Sequence, residues 1–359
     1  MKLNKLSLLG ILGLGSFAAQ GYELTQVGSG LLIPWSIEFV DKNTALISER
    51  NGSIVELNLD SGSKQVLFKP DNVEASGQGG LMDLAMHPKH PQTIYLTYSK
   101  GTSSGPKTTL ASFHYQGGEV TDFKELYVSN TRSSSGRHFG SRIAIDDNDH
   151  IYFSIGDRGT RENGQDLQLD SGSILRLNGD GSAPKDNPFA KAKDGLDSIW
   201  SYGHRNPQGI TFDKQTGQLW AIEHGPRGGD EINLIQKGAN YGWPITSHGK
   251  EYWGPLKVGD AEHMEGIESP KLVYVPSIAP SGMVLYRGMN YPKLDGKLLA
   301  GALKLTHINV VEITGSNLNE KERLFEDLGE RIRDIQVSPD DLIYFITDSG
   351  KVYRIEPEL

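Results

Sequence analysis

One phrase recurs six times along the chain and constrains the fold more than any other feature: a short apolar strand, a polar turn, then a second strand rich in aromatic and β-branched residues. It reads IEFVDKNTALISERNGSIVELNL from Ile37, LAMHPKHPQTIYLTYS from Leu84 and IAIDDNDHIYFSIGD from Ile143. It returns as ITFDKQTGQLWAIEHG from Ile210, MVLYRGMNYPKLDGKLLAGAL from Met283 and IQVSPDDLIYFITDSGKVYRIEP from Ile335. Each phrase alternates as a half-buried strand should, with a turn of Asp, Asn, Pro or Gly at its centre, and helical periodicity is almost absent. Antiparallel units repeated at intervals of roughly 40 to 75 residues predict a β-propeller, in which each blade is a small sheet that needs its neighbours and ring closure protects the strand edges. A sandwich or barrel holds as many strands but does not call for the same two-strand phrase each time. The expected fold is therefore all-β, a six-bladed β-propeller.

The N-terminus is different in kind. Lys2 and Lys5 precede the apolar run LSLLGILGLGSFAA, and AQG at 19–21 places small residues at the minus-three and minus-one positions of a cleavage before Tyr22. The run is too short to span a bilayer comfortably. Residues 1–21 therefore read as a secretory signal peptide, and residues 22–359 as a single propeller catalytic domain in the periplasm, with no stable membrane insertion. Loss of the leader removes two lysines and no acid, which moves the formal charge from -9 to -11. So acidic a chain, with no dense Lys/Arg run, is a poor partner for nucleic acid or an anionic membrane. It has no cysteine, so an exported fold would do without disulfides. Monomer and homodimer both remain open.

Between the strands lie five Gly-rich polar stretches. In SYGHRNPQG, residues 201–209, Pro207 lacks a backbone donor and disfavours the helical region for Asn206, while Gly203 and Gly209 permit turn geometry. The stretch reads as a loop, either a binding loop on a rigid scaffold or a turn that caps its own backbone. The others are SGQGGLMDLA from Ser76, GRHFGSRIAI from Gly136, EHGPRGGDEINLIQKGANYGWP from Glu223 and GERIRDIQV from Gly329. Each lies where a repeat begins or ends, so a propeller would converge them on one face and gather Gln78, His138, Arg205, Asn206, Arg331 and Arg333 around one pocket. Several guanidiniums in an acidic protein suit a small polyanion, carboxylates in particular, unless each arginine pairs with a nearby acid such as Asp334 or Glu330. GPRGGDE offers free carbonyls and two carboxylates, oxygen donors of the kind Ca²⁺ takes, although such turns are common without metal. No thiolate site, HExxH, G-x-S-x-G elbow, P-loop or helix-opening GxGxxG is present, so a redox enzyme here would need a cofactor other than one held on a Rossmann fold.

Together GRHFGSRIAIDDNDHIYFSIGDRG, SYGHRNPQGI and EHGPRGGDEINLIQKGANYGWP resemble the soluble aldose (glucose/sorbosone) dehydrogenases that use pyrroloquinoline quinone, PQQ. The resemblance runs from about Leu32 to the C-terminus, and the compact length is similar to that of the bacterial aldose sugar dehydrogenases. It implies His138 as general base on the anomeric hydroxyl of an aldose. It implies Gln78, Arg205, Asn206, Gln208, Lys304, Arg331 and Arg333 as cofactor-binding residues. A catalytic Ca²⁺ would sit on the carbonyls of Gly225 and Pro226, and Glu231 with Tyr241 matches a second, structural Ca²⁺ site. Hydride would pass from C1 to PQQ to give a lactone, and an external acceptor would take the electrons. The sequence departs from the longer glucose enzymes at Val275, where they carry Trp, and at Arg137, where they carry an acid, so a broad range of aldoses, disaccharides included, is expected. A Ca²⁺-dependent propeller lactonase would need more side-chain ligands on the metal than this loop offers. A non-catalytic binding module would be expected to have lost part of the pocket.

Overall fold

A computed structural model of the chain describes residues 21–358 together with the backbone of Ala18 and Ala19. The expected signal peptide lies almost wholly outside the described residues. Six antiparallel sheets make up the fold. Blade I comprises Pro34–Phe39, Thr44–Glu49, Ile54–Asn58 and Lys64–Phe68. Blade II comprises Leu81–Met86, Thr93–Lys100, Lys107–Gln116 and Glu119–Val128. Blade III comprises Ile143–Ile145, Ile151–Ile155, Ser173–Leu177 and Ile199–Tyr202, and blade IV Pro207–Asp213, Gln218–Glu223, Asp230–Ile235 and Leu272–Tyr274. Blade V comprises Pro280–Leu285, Lys297–Ala302, Ile308–Thr314 and Asn317–Leu324.

Blade VI is assembled from both ends of the chain. Ile332–Val337, Ile343–Thr347 and Val352–Ile355 supply its first three strands, and Tyr22–Gly28 pairs antiparallel with Val352–Ile355 as its outer strand. The first strands of the six blades touch one another in a closed circuit around the axis. Each of the six sequence phrases begins inside, or at the start of, one of these first strands.

The phrase covers the first two strands of blades II to V and the first three of blades I and VI. The long polar stretch that follows Asp157 holds a short 3₁₀ turn, Arg161–Gln165, and then the third strand of blade III, and it leads into the fourth. The expected alternation also fails in the second strands: Ile151–Ile155 and Ile343–Thr347 are buried at every position. A blade in a ring packs on a neighbour on each side, and a strand covered on both faces reads as a continuous apolar run. The hydrophobic core is accordingly divided among the blade interfaces. Phe345, Leu299 and Ile308 pack between blades V and VI, and Leu46, Leu84 and Tyr98 between I and II. Asp side chains close several central turns as expected, with Asp146 Oδ1 accepting from the amides of Asn148 and His150 at 2.9 Å each.

Candidate active site

Chain direction places two sets of loops at the same end of the ring. One set leads into the first strands and carries Ile33, Gln78, His138, Arg205, Asn206 and Arg331; the other joins second strands to third and carries Arg50, Asp157, His224, Leu303 and Asp348. Only Gly203–Asn206 of SYGHRNPQG is loop, because Ser201 and Tyr202 end blade III and Pro207 opens the first strand of blade IV, a position that needs no ladder N–H. In five blades the register between first and second strands shifts at this same end. Three of the shifts displace Trp35, Gln208 and Arg333, and these three residues line a cavity of about 340 Å³. Bulges re-aim side chains in this way.

Beside this cavity the ring is tied together by charge. Arg142 Nη1 donates to Asp83 Oδ1 at 2.7 Å and to Asp334 Oδ1 at 2.8 Å, and its Nε donates to the carbonyl of Gln208 at 2.9 Å. The guanidinium lies 4.3 Å from the centre of the Trp35 ring, which packs on Met82 and Phe139. Asp334 is therefore committed to Arg142 and unavailable to Arg331 or Arg333.

His138 is held from both sides. Its amide donates to Gln78 Oε1 at 2.7 Å, and Gln78 is positioned by its own amide bond to the carbonyl of Gly136, also 2.7 Å. That approach requires Gly77, where φ is +58° and a Cβ would stand 2.1 Å from the Gly136 oxygen. The ring is buried, with Nδ1 2.6 Å from Asp157 Oδ1. Asp157 also accepts from the amide of Gly159 at 2.7 Å and from Trp243 Nε1 at 2.8 Å. Burial pushes the Asp157 carboxyl up, but the bond to His138 and the Gly159 amide outweigh it and hold the group below the usual carboxylate range. An ionised Asp157 fixes the proton on Nδ1 and leaves Nε2 as the basic atom, which takes no hydrogen-bond partner among the described residues. Burial above all, helped by the charge of Arg205, keeps His138 below its ordinary pKa despite Asp157, so the ring is neutral at pH 7.

The GHRN loop is locked into the same framework. Asn206 Oδ1 accepts from the amide of Gly140 at 3.1 Å, and the Arg205 carbonyl accepts from the Asp157 amide at 2.8 Å. Glu223 receives His204 Nδ1 at 2.8 Å and the Arg205 amide at 2.7 Å. Arg205 Nη1 reaches the His224 carbonyl at 3.2 Å, and the guanidinium stands 5.3 Å from the Trp243 ring centre. His224 Nε2 lies 3.2 Å from Gln208 Oε1. Burial and the Arg205 charge push His224 down to about 3, so it too is neutral.

A second pocket, of about 10 Å³, is bounded by Gly225, Pro226, Glu231, Tyr241 and Glu223, the first four being the expected metal residues. That is room for one water or ion. Glu223 and Glu231 are direct cross-strand partners, an arrangement that is unfavourable for two like charges alone. Glu223 is satisfied by its donors, whereas Glu231 has no cationic partner among the described residues, and burial with the Glu223 charge raises its pKa well above normal. The Tyr241 hydroxyl is already engaged, donating to the Leu234 carbonyl at 2.6 Å and accepting from the Gln236 amide at 2.8 Å. Among the described residues no cluster of three or more His, Cys, Asp or Glu forms a metal cage. The donor set here is two carboxylates and main-chain oxygen.

Arg331 and Arg333 both line the larger cavity and share Asp348: Arg331 Nε at 2.8 Å from Oδ2, and Arg333 Nε at 2.9 Å from Oδ1. Glu330 instead pairs with Lys351. Lys304 is not brought into this group, because its side chain is exposed and outside the cavity lining, whereas the neighbouring Leu303 lines it. Arg50, Arg331 and Arg333 against Asp348 leave the lining with two unneutralised positive charges, in a chain of net charge -9.

Residues 31–354 match the family described as Glucose / Sorbosone dehydrogenase. The chain belongs to the glucose/sorbosone dehydrogenase family. By that membership it is an oxidoreductase. It is 37% identical over 334 residues to the aldose sugar dehydrogenase YliI of Escherichia coli (strain K12), covering 90% of each chain. It is 28% identical over 418 residues to quinoprotein glucose dehydrogenase B of Acinetobacter calcoaceticus, covering 92% of this chain and 86% of the relative. The crystal structure of the soluble aldose sugar dehydrogenase of Escherichia coli, in its apo-form, superposes with a TM-score of 0.90 at 35% identity, covering 94% of this chain and 99% of that one.

Of the expected cofactor residues, Gln78, Asn206, Gln208, Arg331 and Arg333 share the cavity, Gln78 bonds His138 to it, and Arg205 borders the smaller pocket. Asp157, Trp243, His224, Asp348 and Arg50 join the site in addition to the residues expected from the sequence. Asp157 lies just beyond the second strand of the hairpin that follows the GRHFG stretch, and an acid one hairpin after a candidate base is a signal that could have found it. Nothing local marks Trp243 or Asp348, whose partners lie 86 and at most 17 residues away.

Proposed function

We propose that the chain is a quinoprotein that oxidises aldoses at C1 to lactones, with broad aldose specificity, PQQ as hydride acceptor, Ca²⁺ at the site and an external electron acceptor. The observation that carries this reading is a neutral histidine, oriented by Asp157, joined through Gln78 to a cavity with two surplus positive charges. The relatives named as an aldose sugar dehydrogenase and a quinoprotein support it. Export to the periplasm rests on the character of residues 1–21.

The residues suit a cofactor with several carboxylates. Arg331 and Arg333 present guanidiniums whose shared acid leaves charge to spare, and Asn206 and Gln208 line the same space. The small pocket, bounded by residues expected at two separate Ca²⁺ sites, has room for one oxygen-liganded cation, with Glu231 as a carboxylate that has no cationic partner among the described residues and the loop of Gly225 and Pro226 as a source of carbonyls. When bound, PQQ would supply a quinone as hydride acceptor, and Ca²⁺ would supply Lewis acidity. His138 Nε2 takes the proton of the anomeric hydroxyl as the C1 hydrogen leaves with its electron pair. Asp157 keeps the ring oriented and stabilises the imidazolium that forms.

The test is aldose-dependent reduction of an artificial dye by the purified protein with PQQ plus Ca²⁺, with each alone, and after chelation. Activity that needs both is expected. Equal dye reduction without PQQ, or none with both, overturns the reading.

A further inference from the structure

We infer that Arg50 is a further anion-binding residue of this site and grips a carboxylate of the polyanionic cofactor together with Arg331 and Arg333; the inference rests on the cofactor reading above. Arg50 lines the same cavity as those two arginines. They are anchored on Asp348, and Arg331 Nη1 also reaches the Leu303 carbonyl at 2.9 Å. The Arg50 guanidinium has no ion-pair or hydrogen-bond partner among the described residues. The acid beside it in sequence, Glu49, is committed elsewhere, with Oε1 accepting from the Leu32 amide at 2.7 Å and Oε2 lying 3.4 Å from Asn51 Nδ2.

The main chain of Arg50, by contrast, is fixed. Its amide donates to the Ile33 carbonyl at 3.1 Å and its carbonyl accepts from the Leu81 amide at 3.3 Å, which ties the loop of blade I to blade II. Gly80 lies so close that a Cβ there would stand 2.1 Å from the Arg50 oxygen. A rigid backbone thus presents a half-buried, uncommitted cation to the cavity. Partial burial of a guanidinium weakens its hydration and returns nothing until an anion arrives, and its planar fork suits a carboxylate. Lys304, the cation suggested by the family resemblance, stands outside the lining, so in this chain Arg50 is the third cation at the cavity.

PQQ is titrated into the wild-type protein, Arg50→Ala and Arg50→Lys in the presence of Ca²⁺, followed by calorimetry at two ionic strengths. Binding, not turnover, is the readout, and unfolding curves of the PQQ-free variants check that the fold is intact. The expected result is that R50A weakens binding by about tenfold or more, R50K by less, and that the salt dependence of R50A is shallower than that of wild type. If wild type binds and R50A binds within about twofold of it with the same salt dependence, the role of Arg50 is refuted alone. If wild type shows no saturable binding, the cofactor reading falls, and the Arg50 assignment with it.

Discussion

Asp157→Asn is the substitution that probes the chemistry most sharply, because three N–H donors converge on the two oxygens of this carboxylate. His138 Nδ1 and the Gly159 amide meet Oδ1, and Trp243 Nε1 meets Oδ2. An amide offers one oxygen. If that oxygen stays toward His138, the new NH₂ faces the Trp243 N–H, and an unsatisfied buried donor costs about 1–3 kcal/mol of stability. If it turns toward Trp243, the NH₂ faces Nδ1, the histidine proton moves to Nε2, and the base is lost. In either case the imidazolium loses its counter-charge. General-base assistance from a positioned side chain is worth about 10²–10⁴ in rate, so kcat is expected to fall by about 10³, close to 4 kcal/mol of transition-state stabilisation, with KM altered by less than about threefold. The pH dependence carries a second signature. Burial and Arg205 already hold His138 below its normal pKa while Asp157 opposes them, so D157N moves the acid limb of kcat/KM to still lower pH. Dye-reduction kinetics across the neutral range, with circular dichroism as the folding check, measure both effects. A kcat within about threefold of wild type, or an acid limb that moves upward, refutes the base assignment.

Other expectations concern the scaffold. Arg142→Met leaves Asp83 and Asp334 buried without their shared cation and is expected to cost about 3–5 kcal/mol in urea unfolding; a loss below about 1 kcal/mol contradicts the account of the ring's centre. Gly77→Ala forces a Cβ against the Gly136 carbonyl in a left-handed backbone, displaces Gln78 from the His138 amide, and is expected to lower kcat by about tenfold or more; unchanged kinetics exclude that coupling. Glu38 is pushed up to about 8 by burial first and by the charges of Asp83 and Asp334. Its folded pKa is raised, so it contributes stability that is lost as pH rises from the unfolded value near 4.5 through about 8. Glu38→Gln should therefore gain on wild type as pH rises from about 5 to 8, and parallel stability curves would show that Glu38 is not perturbed.

The six hairpin phrases made the architecture legible because first and second strands are the most apolar parts of each blade and their turns carry Asp, Asn, Pro or Gly. Outer strands such as Glu119–Val128, exposed along much of their length, carry little pattern. The site residues that stood out were those in glycine-bounded loops, where backbone requirements write themselves into the sequence: Gly77 beside Gln78, Gly203 before Arg205. Residues that act across the ring were hidden. Asp348 takes its role from Arg331, at the end of the loop before the last blade, and Arg333, in that blade's first strand, and Arg50 from the absence of any partner among the described residues; neither relation has a local signature. Lys304 shows the converse, a position that aligns by motif while its side chain points clear of the cavity.

The central claim is oxidation at C1 with proton removal by His138. The most direct test compares an aldose with its C1-deuterated form, using protein loaded with PQQ and Ca²⁺, while quantifying the lactone or its aldonic acid against dye reduced. One equivalent of C1-oxidised product per two electrons delivered is expected, with a primary isotope effect on turnover and loss of both signals in His138→Ala. Dye reduction without C1-oxidised product, or full activity in His138→Ala, would contradict the claim.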